Sequence, residues 1–240
     1  ISEVPSIKDI ETGRAKIDNL RKIVIEDLID RESNINEKNI VAKNIHNSVV
    51  FVTGAGGSIG SELCRQILDL KPSKLIMLDN SEPSLYKIDK EIKEQQYECT
   101  LVSVLGDATD YNLIFKLFNT HNVDSVFHTA AYKHVPLVQA NPLQGIANNV
   151  LSTRVICKAA SSTNVAQVML ISSDKAVRPT NVMGASKRLS ELIIQDYATI
   201  NNSKEQKKLH GKSNSNEKTC YSLVRFGNVL NSSGSVVPLF

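Results

Sequence analysis

The sequence predicts an α/β protein built on one doubly wound parallel sheet with helices on both faces. Three observations carry that expectation. A continuous apolar run, Val49-Val-Phe-Val-Thr53, leads at once into Gly54-Ala-Gly-Gly-Ser-Ile-Gly60 and then into a helical stretch, Ser61 to Leu70. Strand, glycine turn and helix in that order are a stronger signal than a glycine turn alone. Apolar runs of strand length then alternate with helical stretches, which calls for right-handed crossovers between parallel strands. Finally, 240 residues, 41% of them hydrophobic, suffice for one large core.

Composition narrows the function classes. The net charge of +3 comes from 28 basic against 25 acidic residues, too even a balance to indicate nucleic acid. No apolar run approaches the ~20 residues of a membrane span, so this segment is expected to be soluble, without membrane contact of its own. Cys64, Cys99, Cys157 and Cys220 are scattered, with no metal-ligand spacing. Three sit in apolar runs and read as reduced core residues of a cytoplasmic protein, and no metal site is expected.

In chain order, residues 1–47 mix charge with Ile and Leu and lack the period of one long helix. They read as a connector arm packed on the main domain or a neighbouring subunit, or equally as a tether to something upstream. Residues 48–240 form the dinucleotide-binding domain. Its later strands are Lys74–Asp79, Thr100–Leu105, Asp124–His128, Gln167–Ile171 and Tyr221–Phe226. Its later helices are Glu82–Gln95, Tyr111–Phe118, one long helix over Leu143–Ser161, and Met183–Ile200. The expected strand order is 3-2-1-4-5-6, a Rossmann-like sheet. Residues 201–219 lack apolar periodicity and read as a flexible, solvated loop.

The glycine turn assigns the first site. A chain bringing bare backbone against a pyrophosphate needs glycine where a side chain would intrude, and the following helix start attracts the anion. Gly54, Gly57, Ser58, Ile59 and Gly60 are therefore candidate dinucleotide contacts. Asp79, with Asn80 and Ser81 behind it, can accept hydrogen bonds from the adenosine ribose and would repel the extra phosphate of NADP, so NAD is favoured; Asp79 can also cap the next helix. Asp107 and Ala108 can flank the adenine, although such an Asp is also a common cap. Thr129, Ala130 and Ala131 are small enough to pass beneath the cofactor. His128 and His134 read as packing residues, and Lys133 as a charge for a phosphate or hydroxyl.

The chemistry is expected at Leu170-Ile-Ser-Ser-Asp-Lys-Ala-Val177, which delivers Asp174 and Lys175 side by side at a strand's carboxyl end. Met183 and Lys187 follow at i, i+4 on one helix face. Phe226-Gly-Asn-Val229 and Asn231-Ser-Ser-Gly-Ser235 add polar groups one strand away.

Thr53 to Gly60, Ala131-Tyr-Lys-His-Val-Pro136, Ser173-Asp-Lys-Ala-Val177, Met183-Gly-Ala-Ser-Lys187 and Arg225-Phe-Gly-Asn-Val229 together resemble the nucleotide-sugar 4,6-dehydratases of the extended short-chain dehydrogenase/reductase family. The likeness runs through the whole chain and is nearest to the long, membrane-anchored UDP-N-acetylglucosamine 4,6-dehydratases of bacterial glycan synthesis. It implies oxidation at C4 of a UDP-sugar with NAD, loss of water across C5 and C6, and hydride return to C6. Lys175 would be the base and Asp174 the acid, Lys175 neutral through burial and the nearby Lys187, Asp174 with a raised pKa. A mutual salt bridge is not expected. Ser173 would orient the C4 hydroxyl, with Lys133, Met183 and Asn228 beside the sugar.

Two departures stand out. The wider family's Tyr-x-x-x-Lys has Met183 at its first position, and methionine cannot accept a proton; Asp174, or Lys187 through water, is the candidate to receive it. The family also continues past Phe240 with a substrate-binding part. The resemblance further implies a homo-oligomer with seams on helices 110–120 and 143–161, and a cytoplasmic segment of a bacterial inner-membrane protein. A UDP-sugar 4-epimerase and a non-catalytic NAD-binding protein are the alternatives.

Overall fold

The computed structural model describes residues 2–3, 21–22, 44–208 and 219–229, with side chains over 44–201 and 219–229. The chain divides into two units, 1–38 and 39–240. In the first, Ser2–Glu3 pairs antiparallel with Arg21–Lys22; the rest of the predicted arm up to residue 43 lies outside the described residues, as do 209–218 and the motif at 231–235. Ile45, at the end of that arm, is fully buried in the core of the second unit.

The second unit is the expected doubly wound sheet. Six strands, β1 (Val49–Thr53), β2 (Lys74–Asp79), β3 (Thr100–Leu105), β4 (Ser125–His128), β5 (Gln167–Ser173) and β6 (Cys220–Phe226), lie in the order β3-β2-β1-β4-β5-β6. Every pairing is parallel. The helices are α1 (Ser58–Asp69), α2 (Glu82–Glu94), α3 (Tyr111–His121), α4 (Val135–Ala140), α5 (Pro142–Ile146), α6 (Ser152–Ser161) and α7 (Val182–Lys208).

Strand alternation distributes the core between the two faces. Phe51, Ile76, Leu78, Val126 and Leu170 enter one cluster with Ile114, Phe118, Ile156 and Ile194 of α3, α6 and α7. Val50, Val52, Leu75 and Met77 point the other way, onto Cys64, Ile67, Leu85, Ile88 and Ile92 of α1 and α2. Successive side chains on a strand face opposite sides, so near-continuous apolar runs are what a sheet covered on both faces requires.

Three expectations need correction. The single helix over Leu143–Ser161 is in fact α5, a π turn at Ala147–Leu151 and α6. Ser152 and Thr153 turn their hydroxyls back onto the carbonyls of Asn148 and Asn149, and Ser190 of α7 also donates to Asn149 O; such competition for carbonyls widens a helical turn. Helix α7 runs through Lys208, eight residues into the stretch read as loop. Lys, Glu and Gln are good helix formers without a buried stripe, so missing apolar periodicity is no sign of missing helix. The cysteines are free, but only Cys64 and Cys157 are buried; Cys99 is partly exposed and Cys220 exposed. Among the described residues no helix is long and apolar enough to cross a membrane.

Phe51, fully buried, meets Phe118 edge to face with centroids 5.1 Å apart, joining the first strand to α3. Phe51→Ala should lower the unfolding free energy by about 3–5 kcal/mol, read as a reduced urea midpoint at unchanged slope.

Candidate active site

The strand order reverses between β1 and β4, and a cavity of about 980 Å³ opens at the strands' carboxyl ends. Bare backbone creates it. Gly54 has φ 63°, and a Cβ there would lie 2.8 Å from the backbone of Ala130. A Cβ on Gly60 would lie 2.0 Å from Gly54 O, so the turn and the start of α1 close only without side chains. No side chain caps α1 and no carboxylate stands in its first turn, which leaves that end suited to an anion.

Most sequence-predicted residues converge here. Gly54, Gly57, Ser58, Ile59, Gly60, Thr129, Ala131, Lys133, Ser173, Lys175, Met183, Lys187 and Asn228 line the cavity. A smaller cleft of about 190 Å³ beside it is lined by Asp79, Asn80, Asp107, Ala108 and Ala130, together with Gly54 and Gly57. Ser81 lines neither; its N–H donates to Asp79 Oδ1 at 2.8 Å and its hydroxyl to Ser84. Asp79 Oδ2 accepts from Gly56 N at 2.8 Å, so this carboxylate braces the glycine turn against β2 whatever else it does. Asp107 accepts from the N–H and hydroxyl of Thr109. Bare backbone, an anion-suited helix start and two adjoining clefts fit an extended dinucleotide.

A buried polar chain fixes the β4 loop. Thr53 Oγ1 accepts from the N–H groups of Thr129 and Ala130, and lies 2.7 Å from His128 Nδ1. Thr153 and Ser152 spend their protons on the carbonyls of Asn149 and Asn148, so they can only accept from His128 Nε2–H, at 3.2 and 3.3 Å. Nδ1 is thereby the acceptor for Thr53. Burial, then the charge of Lys187, lowers the His128 pKa to about 3 and keeps the ring neutral, as befits the packing role expected of it. Asn149, also buried, accepts from Tyr132 N and donates to Tyr132 O and Ser186 Oγ, tying the loop to α7.

Around the expected acid and base the structure departs from the sequence reading. Lys175 Nζ stands 3.2 Å from Asp174 Oδ1 and 3.0 Å from Asn228 Oδ1. The pair is a salt bridge, its side chains 38% and 53% exposed. Adjacent residues can pair because the chain turns into a short 3₁₀ helix, Asp174–Ala176, directly after β5. Hydrogen bonds from Lys175 and from Ser173 lower the Asp174 pKa, the reverse of the expected rise. Asp174 is absent from the cavity wall, whereas Ser173 and Lys175 are part of it.

Lys187 is the buried amine. It donates to Ile171 O at 2.7 Å, and burial, partly opposed by Glu191, lowers its pKa to about 8. Met183, one turn earlier, is 4% exposed. Glu191, one turn later, is fully buried; burial alone would raise its carboxyl, but hydrogen bonds from Arg225, Ser172 and Arg188 outweigh this and hold it at about 2.

Among the described residues the cavity wall holds three lysines and His134 but no carboxylate, so it favours an anionic ligand. Sequence reasoning missed part of the lining: Leu137 and Val138 of α4, Asn141, and Gln144 and Gly145 of α5. Pro136 and Pro142 each stand in the first turn of a short helix, the signal that could have revealed α4 and α5.

Comparison with known proteins gives the same picture. A family model described as polysaccharide biosynthesis protein matches residues 50–240. The chain is 39% identical over 239 residues to the capsular polysaccharide biosynthesis protein CapD of Staphylococcus aureus, covering 99% of this chain and 37% of that one. It is 33% identical to the UDP-glucose 4-epimerase of Rickettsia bellii, over 80% of this chain and 52% of the relative. Among solved structures, Pen from Bacillus thuringiensis superposes with TM-score 0.70 at 32% identity, covering 81% and 54% of the two chains. The dTDP-glucose 4,6-dehydratase DesIV of Streptomyces venezuelae, solved with NAD bound, superposes with TM-score 0.55 at 26% identity, covering 62% and 51%. The chain thus spans about two fifths of CapD and about half of the others.

Three buried groups with large shifts contribute to the pH dependence of stability. His128 and Glu191 titrate lower folded than unfolded, from 6.5 to about 3 and from 4.5 to about 2. The unfolded chain therefore binds more protons below pH 6.5, and stability falls as the pH drops through that window. Chemical denaturation between pH 7 and 4 should show this acid loss, up to about 1.4 kcal/mol per pH unit from His128 alone, and His128→Gln should flatten it. Lys187 imposes its full penalty below about pH 8, relieved as the pH rises towards 10.5. Lys187→Met should accordingly exceed the wild type in stability at pH 7 and lose that margin by pH 10.

Proposed function

The chain belongs to the polysaccharide biosynthesis protein family, and from that premise we propose that it is the dinucleotide-binding and catalytic part of a nucleotide-sugar 4,6-dehydratase acting on UDP-N-acetylglucosamine. The observation that carries the reading is Lys175, hydrogen-bonded to both Asp174 and Asn228 on the wall of a cavity that has no carboxylate among its described residues. The glycine turn and the Asp79 cleft would hold NAD, the Asp79 carboxylate disfavouring the extra phosphate of NADP. Bound there, NAD would supply a hydride acceptor for C4 and the hydride returned to C6.

The protons are left to side chains. Asp174 and Lys175 rest as an ion pair 3.2 Å apart. Covering the pair with substrate removes water and favours the neutral form, so one proton passes from Lys175 to Asp174 and yields the amine and acid that elimination needs. Lys187, the buried amine with a pKa of about 8, takes the proton of the C4 hydroxyl in its deprotonated form, having first lost its own proton to solvent, in place of the tyrosine that Met183 replaces. Lys175 removes the C5 proton made acidic by the neighbouring ketone; Asp174 protonates the C6 hydroxyl, which leaves as water. Lys175 then returns a proton to C5 as hydride reaches C6. One proton remains gained at Lys187 and one lost from Lys175, and exchange through solvent restores the pair.

A homo-oligomer goes with this reading. Leu143 on α5 and Leu189 and Leu192 on α7, 78%, 44% and 44% exposed on helices that touch each other, are the apolar side chains that such a seam would cover. Sedimentation of the full-length protein carrying Leu143→Glu and Leu192→Glu should report a smaller species than the wild type; an unchanged one removes this seam.

The named 4-epimerase relative supports one competing reading, in which hydride returns to C4 and no water is lost. Mass spectrometry of the sugar nucleotide separates the two, since dehydration alone removes a water. In the full-length enzyme, Lys175→Ala should reduce formation of the 4-keto-6-deoxy sugar by about 10²–10⁴-fold while NAD binding persists. Turnover at the wild-type rate would end the dehydratase assignment.

A further inference from the structure

Glu191 is a fully buried carboxylate that does not line the cavity. Isolating such a charge from water costs several kcal/mol, and an apolar side chain usually serves stability as well. This chain instead surrounds it with four donors. Arg225 reaches it through Nε to Oε1 at 2.8 Å and Nη2 to Oε2 at 2.7 Å. Ser172 donates to Oε1 at 2.7 Å and Arg188 to Oε2 at 2.9 Å.

The partners' positions matter more than their number. Ser172 and Arg225 face each other in the β5–β6 register, one pair before the ladder ends at Ser173 and Phe226. Three residues beyond each of them stand Lys175 and Asn228, joined across the gap at 3.0 Å. Among the described residues β6 has β5 as its only neighbour, so the end of this edge strand is held by the last ladder bonds and by Arg225. A single carboxylate thus ties the penultimate facing pair of two strands whose next residues form the wall of the site.

We propose that Glu191 is a positioning residue: by holding Ser172 and Arg225 it fixes the strand ends from which Lys175 and Asn228 meet over the cavity. The kinetic part of this inference rests on the dehydratase reading; the geometric part does not. Two measurements on the full-length protein therefore test it, with Glu191→Leu, Glu191→Gln and Ser172→Ala. Arg225 and Arg188 are 38% and 37% exposed and can turn to water when the carboxylate is gone, and Ser172→Ala removes only one hydrogen bond should the leucine variant fail to fold.

The first measurement is trace acylation with acetic anhydride, read by peptide mass spectrometry. Lys175 should react about threefold faster in Glu191→Leu and Ser172→Ala, as expected for loss of one exposed charge-assisted hydrogen bond. Lys133, which lines the same cavity from another loop, should keep its rate. An unchanged Lys175, or equal acceleration of both lysines, overturns the proposal. The second measurement is turnover. The kcat of Glu191→Leu should fall by about 100-fold, as for a small misplacement of a reacting group, with KM for the sugar nucleotide nearly unchanged and much of the loss recovered in Glu191→Gln. An unchanged kcat likewise overturns it. If the wild type dehydrates no UDP-N-acetylglucosamine, the function reading fails by itself and the acylation rates alone decide the role of Glu191.

Discussion

The site depends on one steric constraint: two backbones cross at the carboxyl ends of β1 and β4 with no room for a side chain between them. Gly54, in the left-handed region, lies against Ala130, and Gly60 lies against the Gly54 carbonyl. Thr53 fixes the crossing from beneath, accepting from Thr129 and Ala130 and donating to a His128 ring whose other nitrogen is satisfied by α6. The turn, the β4 loop and the helices behind them are therefore one hydrogen-bonded unit. The two clefts are the space left where the strands diverge around it.

Charge is arranged in layers around that space. The wall of the larger cavity carries Lys133, Lys175 and Lys187, while Asp174 and Glu191 are not part of it and Asp79 lines the smaller cleft. Each is already engaged: Asp79 by the N–H groups of Gly56 and Ser81, Glu191 by two arginines and a serine, Asp174 by Lys175 and Ser173. Hydrogen bonds hold the Asp174 and Glu191 carboxyls below their usual range, so both stay ionised without entering the larger cavity. The layering makes the wall attractive to a diphosphate without leaving any described carboxylate of the site uncompensated in the interior.

What the sequence revealed and what it concealed differ in range. The strands, their order and the glycine turn were legible because each is written in a contiguous stretch with a strong period or a residue type that geometry demands. Nearly every predicted wall residue is on the wall for the same reason: strand ends in this topology converge on one crevice. The ion pair between Asp174 and Lys175 was misread because it depends on a 3₁₀ turn that no local signal separates from continuing strand. The π turn at Asn149 arises from hydroxyls on two different helices, Ser152 with Thr153 and Ser190, and a tertiary cause of that kind has no periodicity to read. Glu191 carried no signal in the sequence, because the Arg225 that engages it lies 34 positions later.

The buried groups at the centre work against stability. Lys187 sits in a setting that lowers its pKa, next to a neutral histidine, where a methionine or leucine would cost the fold less. Met183 beside it shows that this helix turn accommodates an apolar side chain of that size. Packing therefore does not demand an amine at position 187. What the position offers is an amine whose pKa is lowered to about 8, held by Ile171 O, on a wall where the side chain one turn earlier has no proton to exchange. The energetic penalty of Lys187 and the proton-inert Met183 are two aspects of one arrangement, in which the titratable group of this helix face is the lysine.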